Sequence, residues 1–548
     1  MRYTFTLLLF VTSFYLFQCD SFFDGGVEDG LVSSEFADPT LLLNNLQLKT
    51  RDIFHESSSF GSELTRMHYM LGETYREAFS PDEFDDIYND VYVDIFTSAN
   101  ALFAIAESKN LFVHLGVAKI LKANAMITLV DNFGDMPYTE TFDGTDLNPT
   151  LEDDQVIYNE ALNYLDQSIA DLSNPLTRDK PESDLYFGSF SEDERIELWI
   201  RVANTLKLKA HLNMGNQEEV LALVEEGNLI SESTHDFQFS YGTNSAQPDS
   251  RHPRFAVNYI DGVYTSDFMA VSFMNMLLTD KRFRDPRINY YIFRQLGADE
   301  DLENENLCVF SAPPSHFDED DPYCQLPYGY WGRDHLMEDG IPMESPLPTF
   351  GIYPTGGAFD DGLGGDADAN SGLRGAGLEP ILLSAFTHFM IAEIELVFNN
   401  NVSGARQSLE LALEHAFTKV ADFGQDFASS SSFEITDSTI TAYQTEVLNR
   451  YDNASDNSEK LRVIALEYYF SLWGNGYEAY NLMRRTGFPD RDDNLQPSRS
   501  PIPGNWPRSL LYPATMVNRN ASIDQKQYGQ FLFGPFWDPE PGSTKFNF

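Results

Sequence analysis

The chain has only three cysteines in 548 residues. That scarcity excludes a disulfide framework and cysteine-rich zinc modules, and no C-x-x-C pair is present. Basic residues are also short: 36 Lys and Arg stand against 85 Asp and Glu, for a formal charge of −49. Such a surface repels nucleic acid and anionic headgroups, so no nucleic-acid partner is expected and contact with a membrane needs an anchor. Catalytic signatures are missing as well. There is no G-x-S-x-G elbow, H-E-x-x-H, P-loop or G-x-G-x-x-G, and paired carboxylates are uninformative in so acidic a chain. No enzyme activity and no cofactor are expected, apart from the calcium ladder described below.

What is present begins with a core. Hydrophobic residues make up 42% and aromatics 14%, with 43 Phe and 27 Tyr but 5 Trp, which excludes wholesale disorder. At the N-terminus an apolar run from Phe5 to Phe17 is too short to span a bilayer and has the shape of a secretory signal. Cys19 directly follows it, so residues 1–18 read as a lipoprotein signal, Cys19 as the acylated residue and 19–30 as an acidic tether. Export leaves Cys308 and Cys324 in an acidic, Pro-rich loop, where an oxidising compartment allows them to pair or to remain two free thiols. Closing a loop of about 15 residues would contribute about 3 kcal/mol.

The stretch VHLGVAKILKANAMITLVDNFGDMPY, Val113 to Tyr138, reads as one helix with an abrupt stop. Val117, Ile120, Leu121, Ala125, Leu129 and Val130 step by three and four, Gly134 suits a left-handed closing residue, and Pro137 opposes resumption. Its side chains are expected to build core rather than meet ligand. Helices are also expected over Asp82–Ser108, Asp153–Leu172 and Glu192–Asn213, after a short helix at Pro39–Leu48. Between about 230 and 378 helical periodicity fades, Pro, Gly and Asp rise, and short aromatic segments alternate with turn signals. Helical patterns return at 381–398, 403–420, Lys460–Leu472 and Gly476–Thr486.

The helix closing in FGDMPY resembles the hallmark of the SusD/RagB-like outer-membrane nutrient-binding lipoproteins. LWIRVANTLKLKAHLNMG, GYWGRDHLMEDGIP, FGIYPTGGAFD, the Ala392-Glu393 helix and WGNGYEAYNLMRRTGFP follow in the family's order. Leu336 replaces a usual glycine, and Met516 a usual glutamate in the closing segment. The resemblance implies a mainly α fold of tetratricopeptide-like hairpins with little β structure. It would be a single domain over 31–548, with hairpins at about 82–214 and 380–486 and a loop-rich insert at about 230–378. It implies capture of an oligosaccharide or peptide, glycan above peptide, and delivery to a SusC-like TonB-dependent transporter. The alternatives are a helical-repeat envelope scaffold and a surface hydrolase.

Candidate ligand contacts are the loop residues Tyr330, Trp331, Arg333, Asp334 and Tyr353, with Phe60, Arg66 and Tyr69 from the region where the family's binding segment varies. Against contact stands the reading that shared motif residues fix the loop. Asp366, Asp368 and Asn370 repeat the first, third and fifth positions of a calcium loop. Ser371 and Gly377 fill the glycine and glutamate positions, so a full EF-hand is rejected and a partial Ca2+ site, helped by Asp360 or Asp361, is the expectation that stays.

Overall fold

The computed structural model describes residues 38–142, 147–260, 267–297, 312–323, 325–338, 347–429 and 431–548. The signal and tether, Cys19, and the Cys308–Cys324 pair lie outside the described residues. The fold is mainly α, 55% helix against 5% strand. The longer helices, in chain order, are α1 Pro39–Leu64, α2 Thr97–Lys109, α3 Phe112–Phe133, α4 Asp154–Leu172, α5 Glu192–Asn213 and α6 Gln217–Glu226. They continue with α7 Pro253–Tyr259, α8 Val271–Thr279, α9 Ser384–Val397, α10 Val402–Ala428, α11 Asp437–Asn453, α12 Asn457–Ser471 and α13 Gly476–Thr486.

The first helix corrects the sequence reading, which ended it at Leu48. Asp38 caps α1 by accepting from Thr40 N–H at 2.8 Å, Pro39 opens it, and the helix runs on for 26 residues. The extension was hidden because its buried face past Leu48 is built from Thr50, Ser57, Ser58, Gly61 and Ser62 as much as from Ile53 and Phe54. Those small residues let α13 approach: a Cβ on Gly61 would stand 2.2 Å from the Gly476 carbonyl oxygen. Backbone meets backbone there, which is why glycine is required on both sides.

α3 is the central helix. It is long and apolar enough to cross a membrane, yet 94% of its most apolar window is buried inside the protein, as a core helix requires. It packs chiefly on α4, and also on α1, α2 and α5. Gly134 closes it at φ 70°, and Asp153 then caps α4 through Gln155 N–H at 3.0 Å. α5 begins with a capping box in which Ser191 and Glu194 exchange side-chain and backbone hydrogen bonds.

The loop-rich middle is held by two short antiparallel strand pairs. β1 (Phe237–Ser240) pairs with β4 (Leu378–Leu382), with Phe239 opposite Glu379 and a bulge after Phe237. β2 (Ile292–Phe293) pairs with β3 (Thr349–Phe350). Beyond β4, α9 and α10 form a hairpin, and α13 leans on α1, joining the late helices to the first one. Trp473 at that junction stacks on Phe273, Tyr291 and Phe350 and donates to the Tyr353 carbonyl at 3.2 Å.

Candidate ligand-binding site

The loop residues that the sequence singles out turn inward. Tyr330 is fully buried; its hydroxyl donates to Asp360 Oδ2 at 3.1 Å, and the same carboxylate is gripped by Arg294 at 2.6 and 3.0 Å. Trp331 is 1% exposed and packs with Tyr69, Phe268, Met337 and Leu347. Arg333 lies 4.1 Å over the Phe268 ring and reaches the Tyr69 hydroxyl at 3.4 Å, so the structure does bring these two predicted residues together. The Tyr69 hydroxyl itself donates to the Met337 carbonyl.

Asp334 accepts from Gln496 at 2.7 Å, and burial pushes its carboxyl up to about 6. Tyr353 stands apart, beside Tyr291 and Phe423. Arg66, at φ 62°, donates to the Phe548 carbonyl at 3.0 Å and to Tyr75 at 3.3 Å, and Phe60 packs half-buried against Phe79 and Phe84. Half-buried Phe60 apart, these rings and guanidinium groups are enclosed and offer no face to a ligand in this arrangement, where they fix loops. Leu336, standing where a glycine was expected, takes the glycine-like conformation itself at φ 55°, kept there by burial. Asp366, Asp368 and Asn370 are exposed, and the Asp368 carboxylate is occupied by Asn370 N–H at 2.7 Å in a local turn.

An aromatic cleft of about 600 Å3 opens instead where α2, α3 and α4 meet the chain leaving the FGDMPY turn. Lys122 forms its floor, and Tyr138, Phe142, Tyr164, Asn100, Asn159 and Glu160 line it. The volume suits a small ligand. The Lys122 ammonium sits 4.7 Å over the Tyr164 ring, 5.4 Å over Phe103, 5.5 Å over Phe96 and 5.7 Å over Tyr138. It donates to Asn100 Oδ1 at 3.0 Å and to the Tyr164 hydroxyl at 3.2 Å. Burial lowers its pKa to about 8, with the nearby Glu160 charge opposing the shift.

Tyr138 and Tyr164 are half-buried and Phe142 is exposed, so each keeps ring surface toward the opening. Flat rings of this kind accept the apolar face of a sugar, while Asn159, Asn100 and Glu160 can meet its hydroxyls. A larger depression of about 690 Å3, lined by Lys109, Arg178, Lys180 and Glu192, has no Phe, Tyr or Trp among its described lining residues and lacks that combination. The cleft is hidden in the sequence because Lys122 and Tyr138 belong to the Val113–Tyr138 stretch, whose apolar period is that of a core helix. Lys122 was a weak signal at most, since Lys119 lies in the same helix and is paired with Asp171 instead.

Residues 32–337 match a family model described as starch-binding and associating with the outer membrane. The chain belongs to the SusD-like family. SusD-like proteins are outer-membrane proteins that bind nutrients or glycans. No curated protein shows significant sequence similarity to the chain. Among solved structures, a SusD/RagB family protein from Bacteroides thetaiotaomicron superposes with a TM-score of 0.65 at 16% identity, covering 92% of this chain and 99% of its own. A SusD homologue from Bacteroides fragilis gives 0.60 at 16% identity, covering 93% and 98%. A protein described as chitin-binding gives 0.59 at 18% identity, covering 91% and 100%. At these identities the likeness is one of fold, and this SusD-like chain shares it over nearly its whole length.

Proposed function

We propose that this protein captures an oligomeric glycan at the cell surface and hands it to a SusC-like TonB-dependent transporter, with no bond chemistry of its own. The observation that carries the reading is the cleft in which half-exposed Tyr138 and Tyr164 flank the caged Lys122 ammonium, within a SusD-like chain. Stacking faces beside amide and carboxylate groups favour a sugar over a peptide, whose backbone calls for a strand edge or groove. In this reading Cys19 carries the lipid that holds the protein to the outer membrane, and two or more acyl chains give a stable anchor where one would be marginal.

The test is a glycan and peptide array probed with purified protein and scored for both retention and cleavage. Retention of an uncut oligosaccharide is the expected result; retention of peptides alone, or cleavage, would overturn the proposal. Affinity purification of tagged protein from outer membranes is expected to recover a large TonB-dependent barrel.

A further inference from the structure

His55, His252 and Glu379 come from three elements far apart in sequence, yet their ligand atoms all lie within 4.8 Å of one another. His55 stands on α1, His252 caps α7, and Glu379 lies in β4. His55 Nδ1 is 2.7 Å from Glu379 Oε1, and His252 Nε2 is 3.4 Å from the same oxygen. Glu379 and His252 are buried, while His55 keeps 22% of its side chain exposed, so the centre has one open side.

The second observation is His252 Nε2 itself. It is buried, it faces Glu379 Oε1 across 3.4 Å, and among the described residues it makes no well-formed hydrogen bond. A buried polar nitrogen left in that condition calls for a partner. Nδ1 accepts the Arg254 N–H at 3.1 Å, which places the neutral ring's proton on Nε2. The Tyr241 hydroxyl donates to Glu379 Oε1 at 3.2 Å, and an outer group of that kind orients a ligating carboxylate. The nearby positive charge, Arg254, is itself engaged by Asp267 at 2.7 Å and by Ser59 at 2.8 Å.

The geometry points to a binding site for a zinc-class divalent cation, held by His55, His252 and Glu379. Two imidazoles and one carboxylate are the donor set such ions take, with bonds of about 2.1 Å and ligand atoms about 3.4 Å apart in a tetrahedron. The His252–Glu379 separation already has that value, and the His55–Glu379 contact lengthens as the ion replaces their hydrogen bond and the His55 ring proton moves from Nδ1 to Nε2. The proton of the neutral His252 ring moves from Nε2 to Nδ1, which gives up the cap bond to Arg254 N–H. The fourth position faces the open side at His55 and takes water. The ion would tie α1 to the β1–β4 pair and to the cap of α7, where His55 and His252 already meet ring to ring. This site is separate from the aromatic cleft and does not depend on what the cleft holds.

The test titrates ZnCl2 into chelator-treated protein by calorimetry and follows the thermal midpoint. One equivalent is expected to bind and to raise the midpoint by several degrees. Two variants guard against binding at surface carboxylates. His55→Gln changes a half-exposed residue, and His252→Asn removes the imidazole while keeping a good N-cap. Each is expected to weaken zinc binding at least tenfold and to lose the stabilisation. Absence of zinc binding by the unmodified protein, or undiminished binding in both variants, would overturn the assignment.

Discussion

Asp131 accepts a hydrogen bond from Trp537 Nε1 at 2.9 Å, although 406 residues separate them. The other carboxylate oxygen takes the Tyr477 hydroxyl at 2.5 Å and Asn481 Nδ2 at 2.9 Å, while the Asp131 carbonyl accepts from Arg484 at 2.7 Å. The aspartate of the DNFGD turn therefore gathers α13 and the last part of the chain onto the end of α3. That role gives the motif a physical reason independent of any ligand.

Asp131→Ala strands three buried donors at once. At about 1–3 kcal/mol for each unsatisfied group, partly relieved by relaxation, a loss of about 3 kcal/mol is expected. Urea denaturation checks it, with Asp131→Asn expected to lose less. Equal stability of Asp131→Ala and the parent would show that the hub is not holding the helices.

Gly61→Ala places a methyl against the Gly476 carbonyl at a distance no real contact reaches. Either α1 and α13 separate or the chain strains, and overpacking of this kind costs about 3 kcal/mol. A lower thermal midpoint without change in helix content is the expected signature.

Tyr164→Ala removes a half-exposed stacking face and one acceptor for the Lys122 ammonium. Glycan affinity is expected to fall about tenfold, in line with an aromatic contact of roughly 1.4 kcal/mol. Isothermal titration with an oligosaccharide retained on the array measures it, and unchanged affinity would move the binding site elsewhere.

Lys122 supplies a pH signature. Its folded pKa, about 8, lies below the ordinary value of 10.5, so the unfolded chain binds more protons between those limits. Stability then rises with pH across about 8 to 10.5, and the penalty is constant below that window. Lys122→Met is expected to be the more stable protein at pH 7, by up to about 3 kcal/mol. The difference should shrink as pH climbs to 10. A constant difference across the window would contradict burial as the cause of the lowered Lys122 pKa.

The helices were legible where local physics decides them. Gly134 marks the stop of α3, and periodic apolar residues the α9–α10 hairpin. α1 was legible only in its first turns, because a face of Ser, Thr and Gly carries no hydrophobic period. It is buried by α13, more than 400 residues later in the chain.

For the site, the sequence marked the aromatic loop residues but not which way they face. Composition selects an aromatic–arginine loop; only the packed neighbours Asp360, Phe268 and Tyr75 determine that Tyr330, Arg333 and His335 point inward. The sequence by itself determined helical class, an acidic surface, the chain's stops and caps, and the family's motifs, since each depends on neighbours within a few residues. Tertiary structure alone decided that Lys122 is caged by four rings and that His55, His252 and Glu379 converge. Those arrangements join side chains from separate elements, and no spacing along the chain encodes the distance between them.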